Sequence, residues 1–153
     1  MLARLDRGAI PAFGIQAQGV HLNGLVRRPD GLHIWLGFRS RTKAVAPGQW
    51  DNIVAGGMPA GLDAVETLAK EAGEEAGLPP EMVALARPVA RLSYNMQQPG
   101  GSGLRRDILH VFDLELPEDF TLPRMTMRWS ISSSGPPGRR WSWCATPIRS
   151  SST

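Results

Sequence analysis

Between residues 56 and 78 the chain reads Gly56-Gly-Met-Pro-Ala-Gly-Leu-Asp-Ala-Val-Glu-Thr-Leu-Ala-Lys-Glu-Ala-Gly-Glu-Glu-Ala-Gly-Leu78. Asp63 is a helix-capping residue type ahead of a periodic apolar run, Gly77 follows the last periodic residue, and Pro79-Pro80 stands just beyond. The spacing predicts a helix from Asp63 to about Ala76. At ~100° per residue, Val65, Leu68, Ala69, Ala72 and Ala76 fall in one sector, and Glu71, Glu74 and Glu75 fall in an opposing one. Three acids at such spacing repel one another, and a solvated face ordinarily intersperses Lys or Arg among them. A divalent cation removes the repulsion. Carboxylates are hard oxygen ligands, suited to Mg²⁺ or Mn²⁺ held jointly with substrate phosphates. On its own the trio also fits a solvated acidic face. Gly56, Gly57 and Gly61, ahead of the helix, permit a tight loop that brings backbone N–H groups close to a ligand or to the helix.

Outward from this stretch, apolar runs of strand length alternate with turn residues. Gly19 to Arg27 alternates partway, Arg28-Pro-Asp-Gly31 reads as a turn, and Leu32 to Phe38 as a second strand. Arg39 to Trp50 is polar and carries Pro47-Gly48, hence a loop, and Asn52 to Ala55 is a short strand running into Gly56. Past the helix, Glu81 to Arg87 predicts a second short helix and Pro88 to Asn95 a strand. Gln97 to Gly103 reads as a glycine-rich loop, and Leu104 to Leu116 as a long strand with Ile108, His110, Phe112 and Leu114 on one face. Strands interleaved with a central helix predict an α/β domain.

The quoted stretch resembles the Nudix box, G-x5-E-x7-R-E-U-x-E-E-x-G-U with U aliphatic. Gly56 matches the first glycine, Lys70 stands at the arginine, Glu71 at its glutamate, and Ala72 at the first aliphatic position. Glu74 and Glu75 match the E-E pair, and Gly77 and Leu78 close the box. Most of a long pattern at fixed spacing is a far more specific signal than a lone glycine-rich loop. Leu62 and Lys70 depart from the box, at two positions that commonly pair as a salt bridge in the family. Glu66, four residues before Lys70, is the expected replacement partner, in an orientation that contributes ~0.3–0.5 kcal/mol. The departures bear on the rigidity of the loop–helix join and on the catalytic rate, and they also fit a Nudix-fold module that binds without turnover.

Further segments extend the resemblance over roughly residues 12–121: Phe13-Gly-Ile15, Gly19-Val-His-Leu-Asn-Gly24, Pro47-Gly-Gln-Trp-Asp-Asn52, Glu66-Thr-Leu68 and Asp113-Leu-Glu-Leu-Pro-Glu-Asp-Phe120. They look like the Nudix subfamily found fused to thiamine pyrophosphokinase in fission yeast and in plant chloroplast Nudix proteins. The resemblance implies an α/β/α sandwich around a mixed sheet and hydrolysis of a small organic diphosphate, with damaged or antimetabolite thiamine diphosphate as the candidate substrate. It implies Mg²⁺ or Mn²⁺ on Glu71, Glu74 and Glu75, with Glu74 the most rate-sensitive ligand and Glu71 the second catalytic glutamate. Arg105 and Arg106, at the start of the long strand, are candidate phosphate contacts, though two arginines at a strand end also fit plain solvation. His21, His33 and His110 fit structural roles, and the general base is not assigned. The subfamily usually carries a region ahead of Phe-Gly-Ile, so residues 1–12 are expected to be its remnant and 13–121 the domain.

Composition narrows the class. The chain has 153 residues, 42% hydrophobic and 20% charged, with 17 Gly and 13 Pro, which excludes collagen, coiled coil and a wholly disordered chain. No apolar run approaches the ~20 residues that cross a bilayer, and Met1 to Phe13 lacks a secretory core, so a cytoplasmic protein without a membrane partner is expected. The single cysteine, Cys144, excludes an internal disulfide and a thiolate-rich zinc site. Residues 1–121 hold 12 Lys and Arg against all 14 acids, whereas residues 122–153 hold five Arg and no acid. The basic charge belongs to the tail, and the slightly acidic body is not expected to bind nucleic acid.

After Phe120 the character changes. Residues 122–153 contain eight Ser and three of the five Trp, without helical or strand periodicity. Tryptophan is depleted from disordered tails, and a frameshift explains the composition better. Joining the third base of each codon to the next two forces Asp at Met125-Thr126 and Val at Trp143-Cys144, and the other junctions permit a sequence resembling the subfamily's continuation. The expectation is a frame lost between Thr121 and Met125, at the expense of the last strand and the C-terminal helix, with an inactive product of a frameshifted gene as the alternative to a working hydrolase.

Overall fold

Alternation along β1 (Gln16–Arg28) organises the sheet. In the computed structural model, Val20, Leu22, Gly24 and Val26 on one face of this strand are buried, while His21, Asn23 and Leu25 on the other are half-buried. The structure describes residues 4–42, 47–97, 99–101, 103–120, 127–131 and 143–147. One edge of β1 pairs in parallel with β6 (Leu104–Glu115) along ten residues, from Gln16 against Arg106 to Leu25 against Glu115. Its other edge is shared. Gly19–Leu22 pair antiparallel with β4 (Val54–Gly57), and Gly24–Arg28 with β2 (Gly31–Phe38). β3 (Trp50–Asn52) pairs with β2, and β5 (Arg87–Gln97) lies antiparallel on the outer edge of β6. One parallel pair among antiparallel ones makes the sheet mixed, as expected.

The helices follow from caps and prolines. Asp63 accepts from the N–H groups of Val65 and Glu66, and the Glu66 carboxylate accepts from Asp63 N–H, a reciprocal box that starts α2 (Ala64–Glu71). Gly77 ends the segment in the left-handed region at φ 64°. Between them Ala72–Ala76 form a π turn instead of the regular helix expected to Ala76. One extra residue in the turn re-aims every side chain within it. The expected second helix shrinks to α3 (Pro80–Val83), because Pro79-Pro80 starts a turn that closes through Ala84–Ala86 before β5 begins at Arg87. Likewise the strand expected over Asn52–Ala55 is two strands, divided at Ile53, which is itself buried in the core. Ahead of β1, Arg7–Ala9 form a 3₁₀ turn and Ile10–Phe13 a short helix, α1, in a segment for which no structure is expected from the sequence.

The core fills the layer between the sheet and α2. Val20, Leu22, Val26, Trp35, Val54, Phe112, Leu114 and Leu116 meet Leu68, Ala72, Ala76 and Leu78 there. The stripe is narrower than expected: Val65 and Ala69 are exposed, and Thr67 is buried beside Leu68. The opposite face is polar and partly apolar. Asn52 donates to Asn23 and Asn23 to Asp113 across three strands, while Leu92, Tyr94 and Met96 remain exposed on β5.

Two further strands continue the sheet beyond β2. β7 (Met127–Ile131) pairs with β2 from Leu32 against Ile131 to Leu36 against Met127, and β8 (Trp143–Pro147) pairs with β7. Strands thus form at two places in a stretch whose sequence shows no strand periodicity. An unpaired edge offers backbone donors and acceptors to a neighbouring segment whatever its side-chain pattern. The expected frame junction, Thr121 to Met125, lies outside the described residues.

Candidate functional site

β4 and the α2 segment bring the box glycines and glutamates together. A Cβ on Gly56 would fall 2.5 Å from Glu71 Cδ and 2.8 Å from its Oε2, so the bare glycine is what admits this carboxyl against the strand. One residue earlier, Ala55 N–H donates to Glu75 Oε2 at 3.1 Å. The π turn is what swings Glu75 to the strand and leaves Glu74 61% exposed.

Lys70 stands between the acids. Its ammonium donates to Glu74 Oε2 at 2.7 Å and lies 3.6 Å from Glu71 Oε1. The hydrogen bond to Glu74 in the first place, and the charges of both glutamates, hold the Lys70 ammonium above its usual titration range. The expected Glu66–Lys70 pair does not form. Glu66 is drawn back to cap its own helix, and Lys70 finds two carboxylates on its other side.

Glu71, Glu74 and Glu75 supply hard oxygen donors of the kind Mg²⁺ takes, and Gly56 leaves room for Glu71 beside the strand. Among the described residues, no group of three or more His, Cys, Asp or Glu is already gathered at metal-holding distance. The donor chemistry therefore fits a divalent cation, and the conformation is one in which an ammonium neutralises two of the three acids.

Arg105 and Arg106 are otherwise engaged. Arg105 Nη2 donates to Asp107 Oδ2 at 2.6 Å, and Tyr94 Oη donates to the same buried oxygen at 2.6 Å. Partial desolvation of its hydroxyl end first, then the bond to Asp107, push the Tyr94 phenol above its ordinary value. Arg106 Nη1 reaches the Gly14 carbonyl at 3.4 Å. Two of the histidines have side-chain partners. His33 is buried and pairs with Asp30 at 2.8 Å, and His110 bonds Gln18 at 2.9 Å.

Two features stand outside the expected site, one legible in the sequence and one not. The capping box was legible as Asp63 followed at three residues by Glu66, with the expected salt bridge competing for the same glutamate. Arg7 was not legible: its guanidinium lies against Gly57, fifty residues away in sequence.

A family model for the NUDIX domain matches residues 19–144. The chain belongs to the Nudix family. Nudix hydrolase 20, chloroplastic, of Arabidopsis thaliana is 44% identical over 117 residues, 76% of this chain and 30% of the relative. Nudix hydrolase 24, chloroplastic, of the same plant is 40% identical over 116 residues, 76% of this chain and 31% of the relative. The chain thus spans about three tenths of the length of these relatives. Among solved structures, DR0079 of Deinococcus radiodurans superposes with a TM-score of 0.53 at 26% identity, over 71% of this chain and 59% of that one. Residues 56–78 themselves lie on β4, the following loop, α2 and the π turn. Among the described residues no helix is long and apolar enough to cross a membrane.

Proposed function

We propose that this Nudix domain hydrolyses a diphosphate bond in a small organic diphosphate, with a divalent cation, Mg²⁺ or Mn²⁺, held by Glu71, Glu74 and Glu75. The observation that carries the reading is the seating of two helix-borne carboxylates on β4, Glu71 over Gly56 and Glu75 on the Ala55 N–H. Such a cation neutralises charge on phosphoryl oxygens and lowers the pKa of water. The protein's part is to fix the donors. Gly56 lets the Glu71 carboxyl approach the strand, Ala55 N–H orients Glu75, and Glu74 is exposed on the solvent side, where substrate arrives. Within this reading Glu74 and Glu71 are the catalytic glutamates, and Gly57, Gly61 and Gly77 shape the loop and the helix end.

Damaged or antimetabolite thiamine diphosphate is the substrate we favour, on the resemblance of the strand segments to the thiamine-linked subfamily. The test is release of the monophosphate from oxothiamine diphosphate with Mg²⁺. Glu74→Gln is expected to lower kcat by ~10² or more, a loss of ~2.7 kcal/mol in transition-state stabilisation. Turnover of Glu74→Gln at the parent's rate counts against the assignment. The Lys70 ammonium on Glu71 and Glu74 favours a second reading, a Nudix module that binds the diphosphate without cleaving it. Saturable binding with no product from the parent supports that one. We assign residues 13–121 to the domain and propose that residues 122–153 are read in a shifted frame, which sequencing the gene from the codon for Asp119 tests directly.

A further inference from the structure

Strand pleat sends Gly56 and Gly57 to opposite faces of the sheet. Gly56, against Val20, faces α2 and meets Glu71. Gly57, against Gly19, faces the other way, and the Arg7 guanidinium fills the space where its side chain would stand. The base of Arg7 is held from both ends. Asp6 caps the turn through Gly8 N–H at 2.8 Å, and α1, which follows directly, lays the Pro11 carbonyl against Gly103 at the start of β6. Other cations near this end of the sheet are engaged: Lys70 by Glu71 and Glu74, Arg105 by Asp107, Arg106 by the Gly14 carbonyl. Among the described residues the Arg7 guanidinium makes no hydrogen bond and no ion pair.

Ala55 N–H leaves β4 on the edge away from β1, since it reaches Glu75. The two-residue repeat of a strand turns the Gly57 N–H to that same edge. Among the described residues no second strand pairs with β4 on this edge, and Gly57 is buried with the Arg7 guanidinium over it, while Arg7 itself is exposed.

We propose that Arg7 is a phosphate-binding residue. Its guanidinium holds one phosphoryl group of the substrate beside β4, while the glutamates hold the cation across the same two glycines. A planar guanidinium matches two phosphoryl oxygens at once, and two residues without side chains thin the strand that separates Arg7 from Glu71. The inference rests on the diphosphate reading above, and it makes the segment ahead of β1 a part of the site.

Calorimetric titration of the full chain with methylenediphosphonate, a diphosphate that cannot be hydrolysed, tests it in the presence of Mn²⁺. Mn²⁺ binding by electron paramagnetic resonance and the thermal midpoint are followed in parallel. Arg7→Gln is expected to weaken methylenediphosphonate about tenfold or more, the scale of one lost charge-assisted hydrogen bond, with Mn²⁺ affinity and midpoint unchanged. Arg7→Lys is expected to recover part of the loss. Equal binding by Arg7→Gln and the parent overturns the proposal, and so does a joint loss of Mn²⁺ binding, which marks Arg7 as structural. A parent that binds Mn²⁺ but no methylenediphosphonate overturns it while leaving the metal assignment standing. A parent that takes up neither sinks both.

Discussion

Lys70 is the residue on which the chemistry of the acidic cluster turns. Where the Nudix box has an arginine paired to a glutamate, this chain has Lys70 and Leu62, and the ammonium released from that pairing goes to Glu74 and Glu71. A cation tethered among metal-ligand candidates competes with the metal. Lys70→Met is therefore expected to raise Mn²⁺ affinity about two- to fivefold, the range of an exposed ion pair, and to lower the metal-free thermal midpoint slightly. Paramagnetic titration of the two proteins checks it, and weaker Mn²⁺ binding by the variant would mean that Lys70 positions the carboxylates instead. A second prediction concerns Tyr94, the only tyrosine in the chain. Its phenol, raised by partial desolvation and by the bond to Asp107, stays protonated past the pH where a free tyrosine ionises, near ~10. The sign follows: this stabilisation is complete below the unfolded value and is lost as pH rises through the folded one. Phenolate absorbance is expected to rise with a midpoint above the free value, and Asp107→Asn to move that midpoint down without abolishing the part due to desolvation.

At the scale of the element, the π turn and the glycine of β4 act together. A regular helix would carry Glu71, Glu74 and Glu75 on one solvent face, whereas the widened turn sends Glu75 to Ala55 and leaves Glu74 outside. Gly56 has no left-handed backbone, so alanine costs no strain of that kind there. Its Cβ would instead displace the Glu71 carboxyl. Gly56→Ala is thus expected to cut turnover about tenfold or more, ~1.4 kcal/mol in the barrier, while the thermal midpoint shifts by only a few degrees. Equal losses of activity and stability would argue that Gly56 serves packing alone. The helix, its cap and its glycine stop were legible because capping and periodicity are local. The π turn was not, because one inserted residue leaves no mark in an Ala/Gly/Glu-rich stretch.

For the whole molecule, the unequal treatment of the two sheet faces matters most. α2 covers one face with a continuous core, while Leu92 at 53% and Met96 at 46% exposure stand open on the other. If the frame proposal holds, the natural cover of that region is what residues 122–153 replace. Covering ~400 Å² of apolar surface is worth ~10 kcal/mol, as much as the net stability of a domain. A chain with the frame restored is therefore expected to melt higher than the written chain, by about 10 °C or more in calorimetry. Equal midpoints count against the proposal. β7 and β8 show that the written tail still pairs along the sheet, through backbone groups that any sequence carries.

The amino-acid sequence by itself determined the box, the helix that bears the glutamates, the alternation of β1 and β2, and with them the α/β class. These depend on residues within a few positions of one another, where spacing and capping suffice. Only the tertiary structure decided which carboxylate meets which partner: Glu66 turned to its own cap, Lys70 to Glu74, Arg105 to Asp107, and Arg7 to Gly57. Each side chain had more than one partner in reach along the sequence, and the choice fell to strand register and side-chain competition, which act between segments far apart in the chain.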